Sequence, residues 1–132
     1  MGKVNAVLFC DDIRFEASGK LLIVGLYSGD LVVSSFPYTG RLSALVLFTG
    51  MPDDPHVKIR VSTATGAIFA SAGFDLEAVE HEDDDLMYLP LPPFLVSLSG
   101  PETLQIEIAI DDGPFRIAGK LHVVRQEESS DE

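Results

Sequence analysis

The feature of this sequence that most constrains its fold is a series of short apolar runs separated by Gly, Pro, Asp and Ser, with no helical period of useful length. Runs of this kind are typical of β-strands joined by tight turns. No stretch supplies a crossover helix that would join parallel strands. We therefore expect an all-β fold, namely a two-layer antiparallel β-sandwich of about eight or nine strands with C2-like or immunoglobulin-like architecture.

The clearest hairpin lies near the end of the chain. Apolar and polar residues alternate over residues 104–111 and 115–123, and an Asp-Gly turn lies between the two runs. In the register expected from this turn, Glu107 lies opposite Ala118 on the polar face.

A second hairpin is predicted near the start of the chain. A Ser-Gly pair at residues 18–19 supplies the turn, and the return strand covers residues 21–27. Asp11 and Asp12 are interpreted as the end of the preceding strand. Residues 31–33 are expected to fold back along the return strand, which would make the third strand of a meander.

The length of 132 residues fits one domain, which we place at residues 1–125. Hydrophobic residues make up 46% of the chain, which is enough for a core. The last seven residues, QEESSDE at 126–132, contain no apolar residue and are predicted to be a disordered acidic tail.

Charge and cysteine content limit which compartment and which partners are expected for the chain. The formal net charge of -12 repels phosphate backbones, so nucleic acid is not expected as a partner. Cys10 is the single cysteine and has no internal disulfide partner, which favours a reducing compartment. Neither a signal peptide nor an apolar run long enough for a membrane helix is found, so we expect a cytosolic protein without membrane insertion.

Acidic residues cluster where the chain is predicted to turn or where strands end. Asp stabilises turns by hydrogen-bonding its own backbone, so turn formation is the first interpretation. If several clusters met at one end of the sandwich, their carboxylates would suit Ca²⁺, which prefers oxygen ligands. A calcium-dependent binding domain is therefore the alternative hypothesis, although no EF-hand spacing is present. Its predicted ligands are Asp83, Asp85, Asp111 and Asp112, and no other cofactor is expected.

The sequence contains no recognisable catalytic constellation. His56, His81 and His122 are far apart and match no zinc spacing with Cys10, so they are interpreted as surface imidazoles. Cys10 lies in an apolar run, where a raised pKa would make it a poor nucleophile. No Ser occupies a nucleophile elbow, and no Gly-rich loop opens a helix. We therefore predict that the chain is not an enzyme, with an unrecognised hydrolase as the third hypothesis.

Residues 86–94, LMYLPLPPF, form an apolar, Pro-rich stretch after an acidic segment. Pro is confined to sheet edges and bends, so a buried edge strand is one interpretation. If exposed, the stretch would be an interaction patch with Met87, Tyr88 and Phe94 as contact residues. The leading hypothesis is a non-enzymatic protein-binding or structural module. It would meet a partner or a second copy of itself through a sheet edge or through this stretch.

The segment VLFCDDIRFEASGKLLIVGLYSGDLVV at residues 7–33, followed by Phe36 and Pro37, resembles the opening of an uncharacterised family of small bacterial and phage-associated proteins. In that family a Cys-Asp start, a Gly-Lys turn and a Val-Gly strand precede a Phe-Pro connection. The resemblance covers mainly residues 6–37. It implies a β-sandwich and a bacterial or phage origin, and it brings no assigned activity and no catalytic residues.

Overall fold

The computed structural model describes residues 3–27, 29–50, 55–75 and 87–127, and within these ranges it contains ten β-strands and no helix. The all-β prediction is confirmed. The structure has ten strands in the described ranges, against the eight or nine expected. The strands are β1 (Lys3–Phe15), β2 (Leu21–Leu26), β3 (Leu31–Val33), β4 (Tyr38–Thr49), β5 (His56–Thr63), β6 (Ile68–Asp75), β7 (Met87–Pro90), β8 (Phe94–Leu98), β9 (Glu102–Ile110) and β10 (Arg116–Arg125).

The first sheet has the strand order β2-β1-β4-β7, and β8 also pairs with β4. The long β4 has two partners on one side, because β8 pairs with residues 38–42 and β7 pairs with residues 45–48. Pro92 and Pro93 lie between β7 and β8. A proline has no N–H to donate to a ladder, so the chain bends there and does not continue as one strand.

The second sheet has the order β3-β10-β9-β5-β6, and its pairs are antiparallel except for β3 with β10, which is parallel. The predicted meander is therefore wrong at β3, which crosses to this sheet and does not return along β2. Leu31 and Val33 are buried in the core. The residues of β2 are only half-buried or exposed, so a strand beside β2 would bury far less apolar surface.

The two sheets pack against each other around an apolar core, which makes the structure two-layered and sandwich-like. Leu42 and Phe48 of the first sheet, with Leu104 and Ile106 of the second, are fully buried at 0% exposure. Each such side chain stabilises the fold by about 1.5–3 kcal/mol relative to an exposed position.

Asp11 and Asp12 lie inside β1 and do not end a strand, which corrects the sequence-based interpretation. The reason is the local pairing of β1. Residues 3–10 of β1 pair with β4 and pairing with β2 begins at Cys10, so beyond Cys10 the strand pairs with β2 alone. Residues 11–15 of β1 are thus part of a two-stranded ribbon, where carboxylates stay in contact with water. The predicted turn is confirmed, since Gly19 has a φ of 90° and its N–H donates to the Glu16 carbonyl at 2.9 Å.

The predicted hairpin of β9 and β10 is confirmed, but its register shifts within the strand. An irregularity between Ile117 and Gly119 leaves Ala118 without an opposite residue, so Glu107 lies opposite Ile117. A β-bulge of this kind turns side chains to the other face. Ile117 is accordingly exposed, while Leu121 is buried as the alternation predicts.

Several predictions fall on parts of the chain outside the described residues. These parts include residues 51–54, the acidic segment at 76–86 and residues 128–132. Gln126, at the start of the predicted tail, donates its backbone N–H to the Val33 carbonyl at 2.7 Å. Within the described ranges, no helix is long and apolar enough to cross a membrane.

Candidate functional site

The side of the first sheet that is turned away from the core carries the candidate site, and we call it the outer face. Strand pairing fixes its members, because directly opposed residues on neighbouring strands point to the same face. Cys10 opposes both Leu26 and Ser43, and Leu45 opposes Pro90. By the same rule the outer face also carries Leu8, Asp12, Arg14, Leu22, Val24, Arg41, Leu47, Tyr88 and Leu95.

Five large apolar side chains on the outer face are exposed to solvent, and we call them the outer patch: Leu22, Val24, Leu26, Tyr88 and Leu95. They are five of the nine exposed large hydrophobic residues in the described part of the chain. Tyr88 and Leu95 are 58% and 65% exposed. Soluble monomers rarely expose large contiguous apolar patches, and such patches mark interaction sites.

The centre of the outer face is buried and apolar. Cys10, Ser43 and Leu45 are 0%, 1% and 3% exposed, although their side chains point away from the core. The Ser43 hydroxyl has no hydrogen-bond partner among the described residues. Burial raises the pKa of the Cys10 thiol, as expected from the sequence, and the nearby carboxylates of Asp11 and Asp12 add smaller effects in the same direction. The centre is therefore closed to solvent, and Cys10 is not an activated nucleophile.

Charged groups border the outer patch where β1 and β2 form a ribbon. Arg14 Nε donates to Asp12 Oδ2 at 3.1 Å, and this contact holds the pKa of Asp12 below its usual range. Asp11, on the opposite face of β1 from Asp12, accepts a hydrogen bond from the Tyr27 hydroxyl. Burial, followed by this hydrogen bond, raises the pKa of Tyr27. The Asp11 carboxylate also lies against Gly25, where an added Cβ atom would clash with this side chain unless it moved.

The three residues predicted as contacts in the segment 86–94 differ in their exposure to solvent. Tyr88 points outward, opposite Leu47 of β4. Met87 is half-buried and packs against the core, and Phe94 is buried in the core with 5% exposure. Tyr88 is therefore available to a partner, whereas a substitution at Phe94 would act on folding.

Two of the four residues predicted as calcium ligands lie in the described part of the chain, and both have partners there. Asp111 Oδ1 accepts the backbone N–H of His56 at 2.9 Å, and Asp112 Oδ1 lies 3.5 Å from Lys58 Nζ. Asp83 and Asp85 lie outside the described residues. Among the residues that the structure describes, no group of three or more His, Cys, Asp or Glu side chains is placed to hold a metal ion.

The two histidines in the described ranges are surface groups with local partners. His56 Nδ1 lies 2.6 Å from Asp75 Oδ1, and 41% of the His56 side chain is exposed. His122 is exposed and lies 2.9 Å from the Thr103 hydroxyl. His81 lies outside the described residues.

An ion pair on the second sheet was not expected from the sequence. Arg60 donates to both carboxylate oxygens of Glu107 at 2.8 and 3.1 Å, and the Ser62 hydroxyl donates to the same carboxylate at 2.7 Å. The hydrogen bonds from Arg60 and, to a smaller extent, the one from Ser62 hold the pKa of Glu107 below its usual range. Arg60 also lies 4.0 Å above the ring of Phe115. Because the carboxylate is occupied from two sides, we interpret this set as structural.

Sequence reasoning found Tyr88 but missed the other members of the outer patch. A signal for β2 was present, since Leu22 and Ile23 are neighbouring apolar residues that must point to opposite faces. When only one side of the sheet is covered by the core, the apolar residues on the other side of such a strand are exposed. No signal existed for Leu95, because the strand alternation does not say which side faces the core.

Comparison of the chain with protein-family models finds no match, and comparison with curated proteins finds none either.

Proposed function

We propose that this chain is a non-enzymatic protein-binding module that contacts a partner protein through the outer patch. The observation that carries the proposal is the gathering of Leu22, Val24, Leu26, Tyr88 and Leu95 on one face of one sheet. Scattered exposed apolar residues are ordinary, whereas several that share one face of a sheet are typical of a contact surface.

Tyr88 and Leu95 are the proposed anchors because they are the two most exposed members of the outer patch. Tyrosine is enriched among residues that dominate binding energy, and truncating such an anchor costs about 2 kcal/mol or more. A loss of that size weakens binding by more than tenfold.

Charge indicates the character of the partner. Asp12 and Arg14 at the border of the patch neutralise each other, so the patch itself is apolar. The whole chain carries a formal net charge of -12. A partner with an apolar contact surface in basic surroundings would match both features.

The test uses a photo-activated crosslinking residue placed either at Leu95 or, as the matched control, at Ile117. Ile117 is 51% exposed and belongs to the second sheet. Each protein is irradiated in lysate from the cells that express it, and crosslinked chains are identified by mass spectrometry. We expect one defined protein to be crosslinked from position 95 and not from position 117.

The affinity of the purified crosslinked protein is then measured by calorimetry. Tyr88→Ser should weaken binding by more than about tenfold, and Ile117→Ser should leave it unchanged. Equal crosslinking from both positions, or equal affinity of both variants, would contradict the proposal.

We further propose a cytosolic location, supported by a single cysteine that is buried and without a disulfide partner in the described chain. C2-like or immunoglobulin-like architecture is likewise a proposal, supported by two packed sheets of mainly antiparallel strands. The likeness to the bacterial and phage-associated family stays a prediction.

A further inference from the structure

We propose that the edge of β2 pairs with β2 of a second copy of this chain, in antiparallel orientation, which joins the two first sheets into one. This inference goes beyond the proposed function, because it concerns the backbone of the edge strand and a different occupant. Within the described residues, β2 pairs with β1 alone. The outer side of such a strand presents N–H and C=O groups that can pair with another chain.

Three of the other edge strands carry features that restrain pairing. β3 has three residues, and β7 has four and ends at Pro90. β6 is long, but Pro92 and Pro93 lie beside it and line a groove with its small residues. Short length and nearby prolines are the means by which proteins protect sheet edges.

β2 carries none of these features. Its six residues, LLIVGL, contain no charge and no proline. Leu22, Val24 and Leu26 expose their side chains on the outer face, beside the open edge. An apolar strand of this kind, without charge or proline, is a template for adding another strand.

The backbone limits which part of β2 can pair. Gly25 has a φ of 69°, which interrupts the extended conformation after Val24. The extended segment available at the edge is therefore residues 21–24, with Lys20 directly before it. Pairing this segment antiparallel with its copy places Leu22 opposite Leu22 of the second copy, on the two-fold axis. The same pairing places Lys20 opposite Val24 of the second copy.

The charges near β2 agree with this register. Val24 opposes Asp12 on the outer face, so Lys20 of one copy and Asp12 of the other lie two strand spacings apart, about 10 Å between Cα atoms. A lysine side chain lying over Val24 would approach that carboxylate. The contact occurs twice, because a two-fold interface repeats each contact. Shifting the register by two residues would place Lys20 opposite Leu26 of the second copy. Leu26 opposes the buried Cys10, so Lys20 would then have no directly opposed carboxylate on β1 to approach.

The test is the oligomeric state of the purified full chain, measured by size-exclusion chromatography with light scattering across a range of concentrations. The buffer contains about 0.15 M salt, because the net charge of each copy opposes association at low ionic strength. We expect a concentration-dependent dimer. Leu22→Lys places two ammonium groups opposite each other on the axis and should weaken the dimer by more than about tenfold. Leu95→Lys, the matched control on the same face, should leave the dimer unchanged.

A charge exchange tests the register itself. Lys20→Glu and Asp12→Lys each turn both proposed contacts into repulsions, so each variant alone should dimerise several-fold more weakly. An equimolar mixture of the two variants restores opposite charges at both contacts and should recover the dimer as a mixed species. Circular dichroism of each variant shows that the fold is retained.

The outcomes separate this inference from the proposed function. A chain that stays monomeric at all concentrations overturns the pairing of β2, whether or not position 95 crosslinks to a partner. A dimer that is lost with Leu95→Lys and kept with Leu22→Lys also overturns it. Failure of the mixed variants to recover the dimer overturns the register.

Discussion

Gly119 of β10 faces Val7 of β1 across the core, at a point where the two sheets leave no room for another side chain. A Cβ atom on Gly119 would lie 2.7 Å from the Cβ atom of Val7, closer than packed atoms allow. Both Cβ positions are fixed by their backbones, so neither can swing away. We expect Gly119→Ala to lower the free energy of unfolding by about 1–3 kcal/mol through overpacking. Denaturant unfolding followed by far-UV circular dichroism measures this change.

Gly100→Ala is the matched control, since a Cβ atom there would have no neighbour within 4 Å. That variant should change the free energy of unfolding by less than about 0.5 kcal/mol. Equal losses at the two positions would rule out the contact with Val7 as the cause. The alternation of β10 predicts that Gly119 shares a face with Leu121, but the sequence holds no information on the opposing residue, which lies in another sheet.

At the scale of an element, the turn between β9 and β10 carries aspartates at two positions where glycine is the preferred residue. Asp111 and Asp112 have φ angles of 48° and 65°, and the Gly113 N–H donates to the Ile110 carbonyl at 2.9 Å. Positive φ at both central residues defines a type I′ turn, in which glycine is preferred. We expect Asp112→Gly to raise the free energy of unfolding by up to about 1 kcal/mol, because it removes the cost of a side chain at positive φ.

Denaturant unfolding again provides the measurement, and Lys58→Ala is the control. Asp112 lies 3.5 Å from Lys58 Nζ, so this control removes the same exposed ion pair without changing the turn. Exposed pairs contribute little, and we expect the control to change stability by less than about 1 kcal/mol. If Asp112→Gly destabilises the protein by more than the control does, relief at positive φ is not the governing effect.

Turn chemistry at this scale could be predicted from the sequence to within about one residue, but strand limits and registers could not. The Asp-Gly signal located the hairpin, yet the central pair of the turn is Asp111 with Asp112. The bulge at Ala118 leaves no mark in the alternation of apolar and polar residues. Asp11 and Asp12 looked like a strand end because their charges interrupt an apolar run. They are accommodated inside β1 because that part of the strand lies outside the packed sheet.

At the scale of the whole molecule, the all-β class could be predicted from the sequence, whereas the assignment of strands to sheets could not. β1 pairs with β4, and β5 pairs with β9, across long separations in the chain. Local patterns contain no information on such pairings. The outer patch depends on them entirely, because it combines residues of β2, β7 and β8 that meet only through β1 and β4. The site was therefore predictable at Tyr88 as a single residue, but not as a surface.

The packing of both sheets around shared side chains predicts that they unfold together. The three tyrosines, Tyr27, Tyr38 and Tyr88, all lie within or next to strands of the first sheet, and the chain has no tryptophan. Tyrosine fluorescence therefore reports on the first sheet, while far-UV circular dichroism reports on both. Leu104 belongs to β9 of the second sheet and is fully buried in the core. We expect Leu104→Ala to lower the free energy of unfolding by about 2–5 kcal/mol, because the cavity it leaves lies between the sheets.

The decisive comparison is between the two signals in the same denaturant titration. If the core is shared, a cavity made from the second sheet must lower the tyrosine midpoint as much as the circular dichroism midpoint, and the two curves coincide in both proteins. A tyrosine midpoint that stays unchanged in Leu104→Ala would mean that the first sheet holds its structure without the second. In that case the outer patch could persist on a partly unfolded chain, and the proposed binding through Tyr88 would survive the substitution. Coincident curves mean instead that unfolding of the core also removes the proposed binding surface.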